Sequence, residues 1–201
     1  MGEEPLETGG SELVRYWRIL TAAFLVALFS GGMRFTIGPF VAPIVADFGI
    51  THSQLSAIVA AAMLVFGFSL PVLGRLVDAW GSRIVLLVGT VLVCASLLAM
   101  AWTRSPVVFA LAFVVTSSLG FAATGPVTLS PLISRWFHRQ RGLAMVFLSA
   151  GGMGGMALLT PVSAALIQAY GWRYTYMVFA AFTAAVLLPA ILVWMKERKA
   201  R

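Results

Sequence analysis

Residues 74–83 read Gly74-Arg75-Leu76-Val77-Asp78-Ala79-Trp80-Gly81-Ser82-Arg83, a charged stretch bracketed by glycines between two long apolar segments. This pattern predicts a tight turn that joins two membrane-spanning helices. Gly74 lets the end of one helix pack closely, and Gly81 frees the backbone from the Cβ constraint where the next helix begins. The charge of Asp78 is favoured beside a helix N-terminus or a cationic partner. A short solvated loop is the alternative interpretation.

The composition around this stretch indicates a protein of the lipid bilayer. The chain has 201 residues, of which 60% are hydrophobic and 10% are charged. In soluble domains about 45–50% of the residues are apolar and about 25% are charged. A helix needs about 20 mostly apolar residues to cross a bilayer. Six segments qualify, at roughly 19–46, 53–73, 84–102, 106–133, 142–168 and 174–195. We therefore predict an all-α polytopic membrane protein with a six-helix bundle over 19–195, a cytoplasmic segment 1–18 and a basic cytoplasmic tail 196–201.

The 14 Lys and Arg residues are distributed unevenly between the two predicted sides of the membrane. One side carries Arg15, Arg18, Arg75, Arg83, Arg135, Arg139, Arg141, Lys196, Arg198, Lys199 and Arg201, and the other carries Arg104 and Arg173. Cytoplasmic loops have such an excess of cations, so we predict a multi-pass protein of the cell inner or plasma membrane with both termini cytoplasmic. The net charge of +7 then reflects topology and indicates no nucleic-acid partner.

The chain repeats a pattern after about ninety residues. Ala79–Arg83 parallels Ala169–Arg173, and the repeat divides the bundle into units at about 19–102 and 106–195. Each unit holds three spans, an odd number, so the second unit enters the membrane upside down. Inverted three-helix repeats are a construction of secondary transporters. Chance similarity of turn residues in apolar sequence is the alternative explanation.

The stretch at 74–83 resembles the signature loop of the major facilitator superfamily, written G-x-L-x-D-x-x-G-x-R. The matching positions are Gly74, Asp78, Gly81 and Arg83. The resemblance implies that these residues act in the conformational change, with Asp78 as a latch. Ala79 and Ser82 stand where basic residues are frequent in the family, so a charge relay is not supported here.

The region from Arg135 to Arg173 is similar to monocarboxylate and oxalate/formate transporter relatives. It includes Arg135-Trp136-Phe137 and Gly171-Trp172-Arg173. The resemblance covers one six-helix half of a twelve-helix carrier. It implies secondary active transport of a small solute by alternating access, driven by protons or by exchange. Transport then needs a second six-helix half or a homodimer, because two halves rock about a central site. A non-transporting sensor or assembly subunit and an inactive truncated half are the alternatives.

Arg34 is the strongest candidate for substrate binding. It lies near the middle of the first predicted span, and no other charge follows until Asp47. A central Arg costs about 2.5–3.5 kcal/mol on insertion scales, so such residues face a bundle interior or a water-filled cavity. Guanidinium presents a donor fork that matches a carboxylate. We predict that Arg34, with Ser30 one turn away, binds a small organic anion; an Arg held by backbone carbonyls or by a partner helix is the alternative.

The fourth span carries Thr116, Gly120, Thr124 and Thr128 at four-residue spacing, which predicts that they share one helix face. We interpret Thr116, Thr124 and Thr128 as a substrate-binding lining of hydroxyls. Ordinary close contact through small residues explains the spacing equally well.

Other residues within the spans indicate helix packing and do not indicate enzymatic chemistry. Gly151 and Gly155 form a small-xxx-small pair in the fifth span. Cys94 is the single cysteine, so neither an intrachain disulfide nor a metal site is indicated. An intramembrane enzyme would need a nucleophile–base pair at membrane depth, and the sequence indicates none, so we predict no enzyme, no cofactor and no metal.

Overall fold

The computed structural model of the protein describes residues 17–137 and 140–194. The predicted tail 196–201, most of segment 1–18, and His138 and Arg139 of the predicted fourth–fifth loop lie outside the described residues. Within them the chain forms helices with short connections and contains no strand. Five helices are long and apolar enough to cross a membrane, and a bent pair supplies a sixth span. The predicted all-α polytopic fold is confirmed.

Most span ends lie within three residues of the predicted ones, and the second span runs seven residues further, to Trp80. The first consists of the helices Trp17–Phe35 and Val41–Phe48 with a 3-10 turn, Gly38–Phe40, between them. The second to sixth spans are His52–Trp80, Ser82–Trp102, Pro106–Trp136, Arg141–Tyr170 and Trp172–Val193.

The first span is bent by 41° just after Arg34. Pro39 has no backbone N–H to donate to the carbonyl of Phe35, and its ring crowds that carbonyl. The 3-10 turn Gly38–Phe40 replaces the α-helical turn at this point. Arg34 therefore lies in the last turn of the helix Trp17–Phe35, where the helix macrodipole favours a cation.

The fourth span is interrupted twice. Residues Ala112–Ser117 form a π-helical segment, in which hydrogen bonds run from i to i+5. The helix then ends at Ala123, Thr124 and Gly125 leave helical geometry, and Pro126 begins the next helix. Proline is well suited to that first position because its missing N–H has no helical acceptor there. Residues on either side of these interruptions do not keep the alignment of a continuous α-helix.

The first and fifth spans make the most extensive helix–helix contact. A Cβ added at Gly155 would lie 1.9 Å from the carbonyl oxygen of Leu28, and one at Gly151 would lie 3.0 Å from that of Phe24. A Cβ at Gly32 would lie 2.7 Å from the carbonyl carbon of Gly155. Glycines allow backbones to approach this closely, so the small-xxx-small pair lies where the two helices cross.

The connection between the second and third spans is shorter than predicted. The helix that contains Gly74 and Asp78 continues to Trp80, and the next begins at Ser82. The turn predicted over 74–83 is confined to Gly81, because Arg75 and Asp78 are compatible with a helix and residues 74–80 are helical. Gly81 has φ 86° and ψ 154°, a conformation that strains residues with a Cβ. Gly171 in the second unit repeats it, with φ 84° and ψ 162°.

The two inverted units form reciprocal contacts through equivalent arginines. Arg83, at the start of the third span, donates to the carbonyl of Leu192 at 2.7 Å near the end of the sixth span. Arg173, at the start of the sixth span, donates to the carbonyls of Ala101, at 3.2 Å, and Thr103 at the end of the third. Each arginine thus satisfies carbonyl groups that a helix C-terminus leaves without intrahelical donors.

Candidate functional site

A cavity of about 380 Å³ opens between the first, second, fourth and fifth spans, and we call it the central cavity. Its polar lining residues are Ser30, Arg34, Thr124, Ser130 and Ser149. Apolar and aromatic side chains form the remainder, and a volume of about 300–1,000 Å³ with few polar groups is typical of small-molecule sites. Ser149 is exposed, so the cavity opens to the surface of the described bundle.

Arg34 lies partly buried in the wall of this cavity, against aromatic rings. Its guanidinium carbon is 3.3 Å from the ring centroid of Phe66 and 5.1 Å from that of Phe35. Both distances are within the range of cation–π attraction, about 6 Å. In the part of the chain that the structure describes, the ion pair is between Asp47 and Arg173, and Arg34 has no carboxylate partner. Aromatic contact therefore orients Arg34 while its donors remain available to an anion.

Ser30 and Thr124 connect the first and fourth spans beside Arg34. Their hydroxyl oxygens are hydrogen bonded to each other, and the two residues are 6% and 1% exposed. The Thr124 hydroxyl also lies 3.0 Å from the carbonyl oxygen of Gly120. Since a hydroxyl has one proton, Thr124 donates to Gly120 and accepts from Ser30. This pair fixes the polar wall of the central cavity.

The structure separates the other two threonines from this cavity. Thr116 is half-buried in the π-helical segment and is absent from the cavity lining. Thr128 follows the break at Gly125 and is fully buried outside the cavity. Because the π turn and the break intervene, four-residue spacing does not produce a continuous row of hydroxyls here.

The four signature positions lie away from the central cavity, at the end of the second span and the start of the third. A Cβ added at Gly74 would lie 4.0 Å from the side chain of Val127, so among the described residues Gly74 is close to that neighbour alone. Asp78 is exposed in the final turns of its helix, where the macrodipole disfavours a carboxylate. Gly81 forms the turn and Arg83 donates to the sixth span. Of the four, only Arg83 makes a hydrogen bond to another span in the described residues.

Sequence reasoning missed much of the apolar lining of the central cavity. Phe66 contacts Arg34 from the second span, and Phe121 and Met145 contribute from the fourth and fifth. The chain has 14 Phe residues, so a phenylalanine within a span carries no specific signal. Ser130 was detectable as a polar residue near the end of the fourth span and Ser149 as a polar residue within the fifth, although nothing in their spacing linked them.

The comparison with known proteins identifies the family. Residues 23–201 match the Major Facilitator Superfamily. The chain belongs to this superfamily. The "Uncharacterized MFS-type transporter YcxA" of Bacillus subtilis (strain 168) is 29% identical and is matched over 90% of this chain and 44% of its own length. "Monocarboxylate transporter 7" of Homo sapiens is 26% identical over 80% of this chain and 31% of its length.

A third relative is "Monocarboxylate transporter 2" of Rattus norvegicus, 28% identical over 82% of this chain and 34% of its own length. The chain therefore spans less than half the length of these major facilitator relatives. Inverted three-helix units build each half of the major facilitator fold, and the reciprocal contacts of Arg83 and Arg173 follow that symmetry. The protein is a multi-pass membrane protein with the architecture of one such half.

Proposed function

We propose that the chain forms one half of a secondary carrier that moves a small organic anion, such as a monocarboxylate, by alternating access. The observation that carries the proposal is Arg34, a cation in the wall of the central cavity with no described carboxylate partner. Two of the relatives are named monocarboxylate transporters, which supports an anion with one carboxylate. Protons or a second solute would drive the movement.

The geometry suits a carboxylate that approaches from the central cavity. The guanidinium would donate two parallel hydrogen bonds to the carboxylate oxygens, the strongest arrangement available to this pair. Phe66 lies against the guanidinium and limits its rotation, so less conformational freedom is lost on binding. Ser30 and Thr124 line the same wall and add hydroxyl dipoles to it. Binding would neutralise a cation that the low-dielectric interior otherwise disfavours.

The open side of the central cavity is where a second half would bind. Within an 18-residue apolar stretch of each span, only 17% of the residues are buried in the second span and 28% in the fifth, against 56% in the third. Phe68 and Met153, 78% and 77% exposed, lie on these two spans. A second six-helix half, or a second copy of this chain, would close the cavity from that side. A helix N-terminus or a cation of that added half would also stabilise Asp78, which would then act as the latch.

The test measures carboxylate binding to the chain in lipid nanodiscs by calorimetry. Butyrate should bind and uncharged butyramide should not. We expect Arg34→Ala to lower the affinity for butyrate about tenfold or more, since one charge-assisted hydrogen bond contributes about 1.5–3 kcal/mol, and Arg34→Lys to lower it less. Arg104→Ala is the matched control because Arg104 is exposed and outside the cavity lining. Equal butyrate affinity in Arg34→Ala would exclude the proposed site.

The same variants report on the requirement for a second half. In proteoliposomes we expect the monomeric chain to take up no butyrate, and uptake to require a crosslinkable dimer or a co-expressed second half. Arg34→Ala should abolish that uptake. Uptake by a chain shown to be monomeric would contradict the half-carrier, and binding without uptake in any assembly would favour a non-transporting membrane module.

We also propose that both termini face the cytoplasm in the cell inner or plasma membrane. Six passes place the two ends on one side, and that side carries most of the Lys and Arg residues. A fluorescent protein fused after Arg201 should fluoresce, and alkaline phosphatase fused there should be inactive. A non-fluorescent fusion together with an active phosphatase would show that the C-terminus faces the opposite side.

A further inference from the structure

A second cavity, of about 110 Å³, lies on the other side of Arg34, and we call it the aromatic cavity. It is lined by the first, second, third, fourth and sixth spans, and includes Phe40, Leu97, Met100, Phe113, Tyr176 and Phe179. Tyr176 stacks on Phe40 with ring centroids 4.5 Å apart. This wall is thus apolar and held by ring contacts.

Two of the polar side chains that line the aromatic cavity are already engaged in hydrogen bonds. The Thr36 hydroxyl donates to the carbonyl of Gly32, and the Ser118 hydroxyl donates to that of Ala62 at 3.0 Å. The first bond lies within one turn of the first span, and the second joins the fourth span to the second. Ser117 and Tyr176 also line the aromatic cavity, but most of its lining residues are apolar, so it favours a largely apolar occupant.

Arg34 connects the two cavities. Together with Phe35, Phe66 and Phe121 it lines both the central cavity and the aromatic cavity. A ligand whose carboxylate binds the guanidinium can therefore extend a short apolar group past the ring of Phe66. The positive charge at the junction determines the polarity of the ligand: its anionic end stays at Arg34, and its apolar end enters the aromatic cavity.

The volume limits the size of that apolar group. A cavity of about 150 Å³ accommodates benzene, so about 110 Å³ is smaller than a phenyl ring needs and fits a branched aliphatic group of three or four carbons. We propose that the aromatic cavity is a subsite for the aliphatic tail of the transported anion, and that the preferred ligand is a short branched-chain monocarboxylate. The inference rests on the proposed carboxylate site at Arg34.

The test compares acetate, 3-methylbutanoate and phenylacetate on the wild-type chain in nanodiscs. Each buried methylene contributes about fourfold in affinity, so 3-methylbutanoate should bind at least tenfold more tightly than acetate. Phenylacetate should bind less tightly than 3-methylbutanoate. Arg34-dependent binding without this order would overturn the tail subsite alone, whereas no Arg34-dependent binding of any of the three acids would overturn the proposed function as well.

A pair of matched variants on the second span locates the subsite. Val59 lines the aromatic cavity and is absent from the central cavity, whereas Val65 lines neither, and both are half-buried. We expect Val59→Phe to fill the subsite and reduce the preference for 3-methylbutanoate over acetate to below about threefold. Val65→Phe should retain the wild-type preference. An unchanged preference in Val59→Phe, or an equal loss in both variants, would overturn the assignment.

Discussion

Replacing Gly155 by Ala is expected to destabilise the folded chain by about 3 kcal/mol or more. The added methyl group would lie 1.9 Å from the carbonyl oxygen of Leu28. That oxygen belongs to the backbone of the first span and cannot rotate away as a side chain would. The first and fifth spans would have to separate, and the close contacts of Gly32 and Gly151 would be lost with them. Overpacking usually costs about 1–3 kcal/mol, and contact between two backbones places this substitution at or above the upper limit.

Gly154→Ala provides the matched control. Gly154 precedes Gly155 on the same helix, and an added Cβ there would meet no atom within 4 Å. Ala has a higher helix propensity than Gly, so Gly154→Ala should leave stability unchanged or slightly raised. Equilibrium unfolding in mixed micelles, followed by far-ultraviolet circular dichroism, measures both free energies. Equal stability of the two variants would show that the helices do not cross at Gly155.

Replacing Arg173 by Met is expected to cost about 2–3 kcal/mol. Arg173 donates to the carbonyls of Ala101 and Thr103 and to the carboxylate of Asp47, at 2.7 Å in the last case. Its guanidinium also lies 4.5 Å from the ring centroid of Trp172. Hydrogen bonds to charged groups contribute about 1.5–3 kcal/mol, and removing Arg173 leaves carbonyls at the end of the third span without this donor.

Two further variants separate the contributions to this effect. Asp47→Asn removes the ion pair alone and should cost less than about 1 kcal/mol, because the Asp47 side chain is 43% exposed and water screens such pairs. Arg104→Met removes an exposed cation close to Thr103 and should have little effect. If Arg173→Met proves no more harmful than Asp47→Asn, the carbonyl contacts do not hold the third and sixth spans together.

The prediction of six spans from the sequence succeeded because membrane helices must satisfy their own backbone hydrogen bonds over a fixed apolar length. The repeat was also detectable in the sequence. The backbone at positions 81 and 171 has a positive φ, which only a residue without a Cβ adopts readily, so both positions are glycine. Asp78 illustrates the limit of such reasoning. Its charge suggested a turn, but the helix continues past it to Trp80.

The fourth span shows where spacing alone is insufficient. Thr116, Thr124 and Thr128 were placed on one face because an uninterrupted α-helix was assumed. The π-helical segment Ala112–Ser117 and the break at Gly125 change that relation. A π turn has no distinctive local composition, so its position depends on the neighbouring spans.

The amino-acid sequence alone was enough to predict the six spans found in the described residues, their division into two inverted units, and the position of Arg34 among apolar residues. These properties depend on hydrophobic length and on charge, which are local. The contact of Phe66 with Arg34 and the hydrogen bond between Ser30 and Thr124 follow from how the spans pack, which the sequence does not reveal. Lipid is as apolar as the interior of the bundle, so hydrophobicity does not indicate which side of a helix faces inward. Close contacts at glycines such as Gly155 constrain how the first and fifth spans are rotated, and with this the residues that share a cavity.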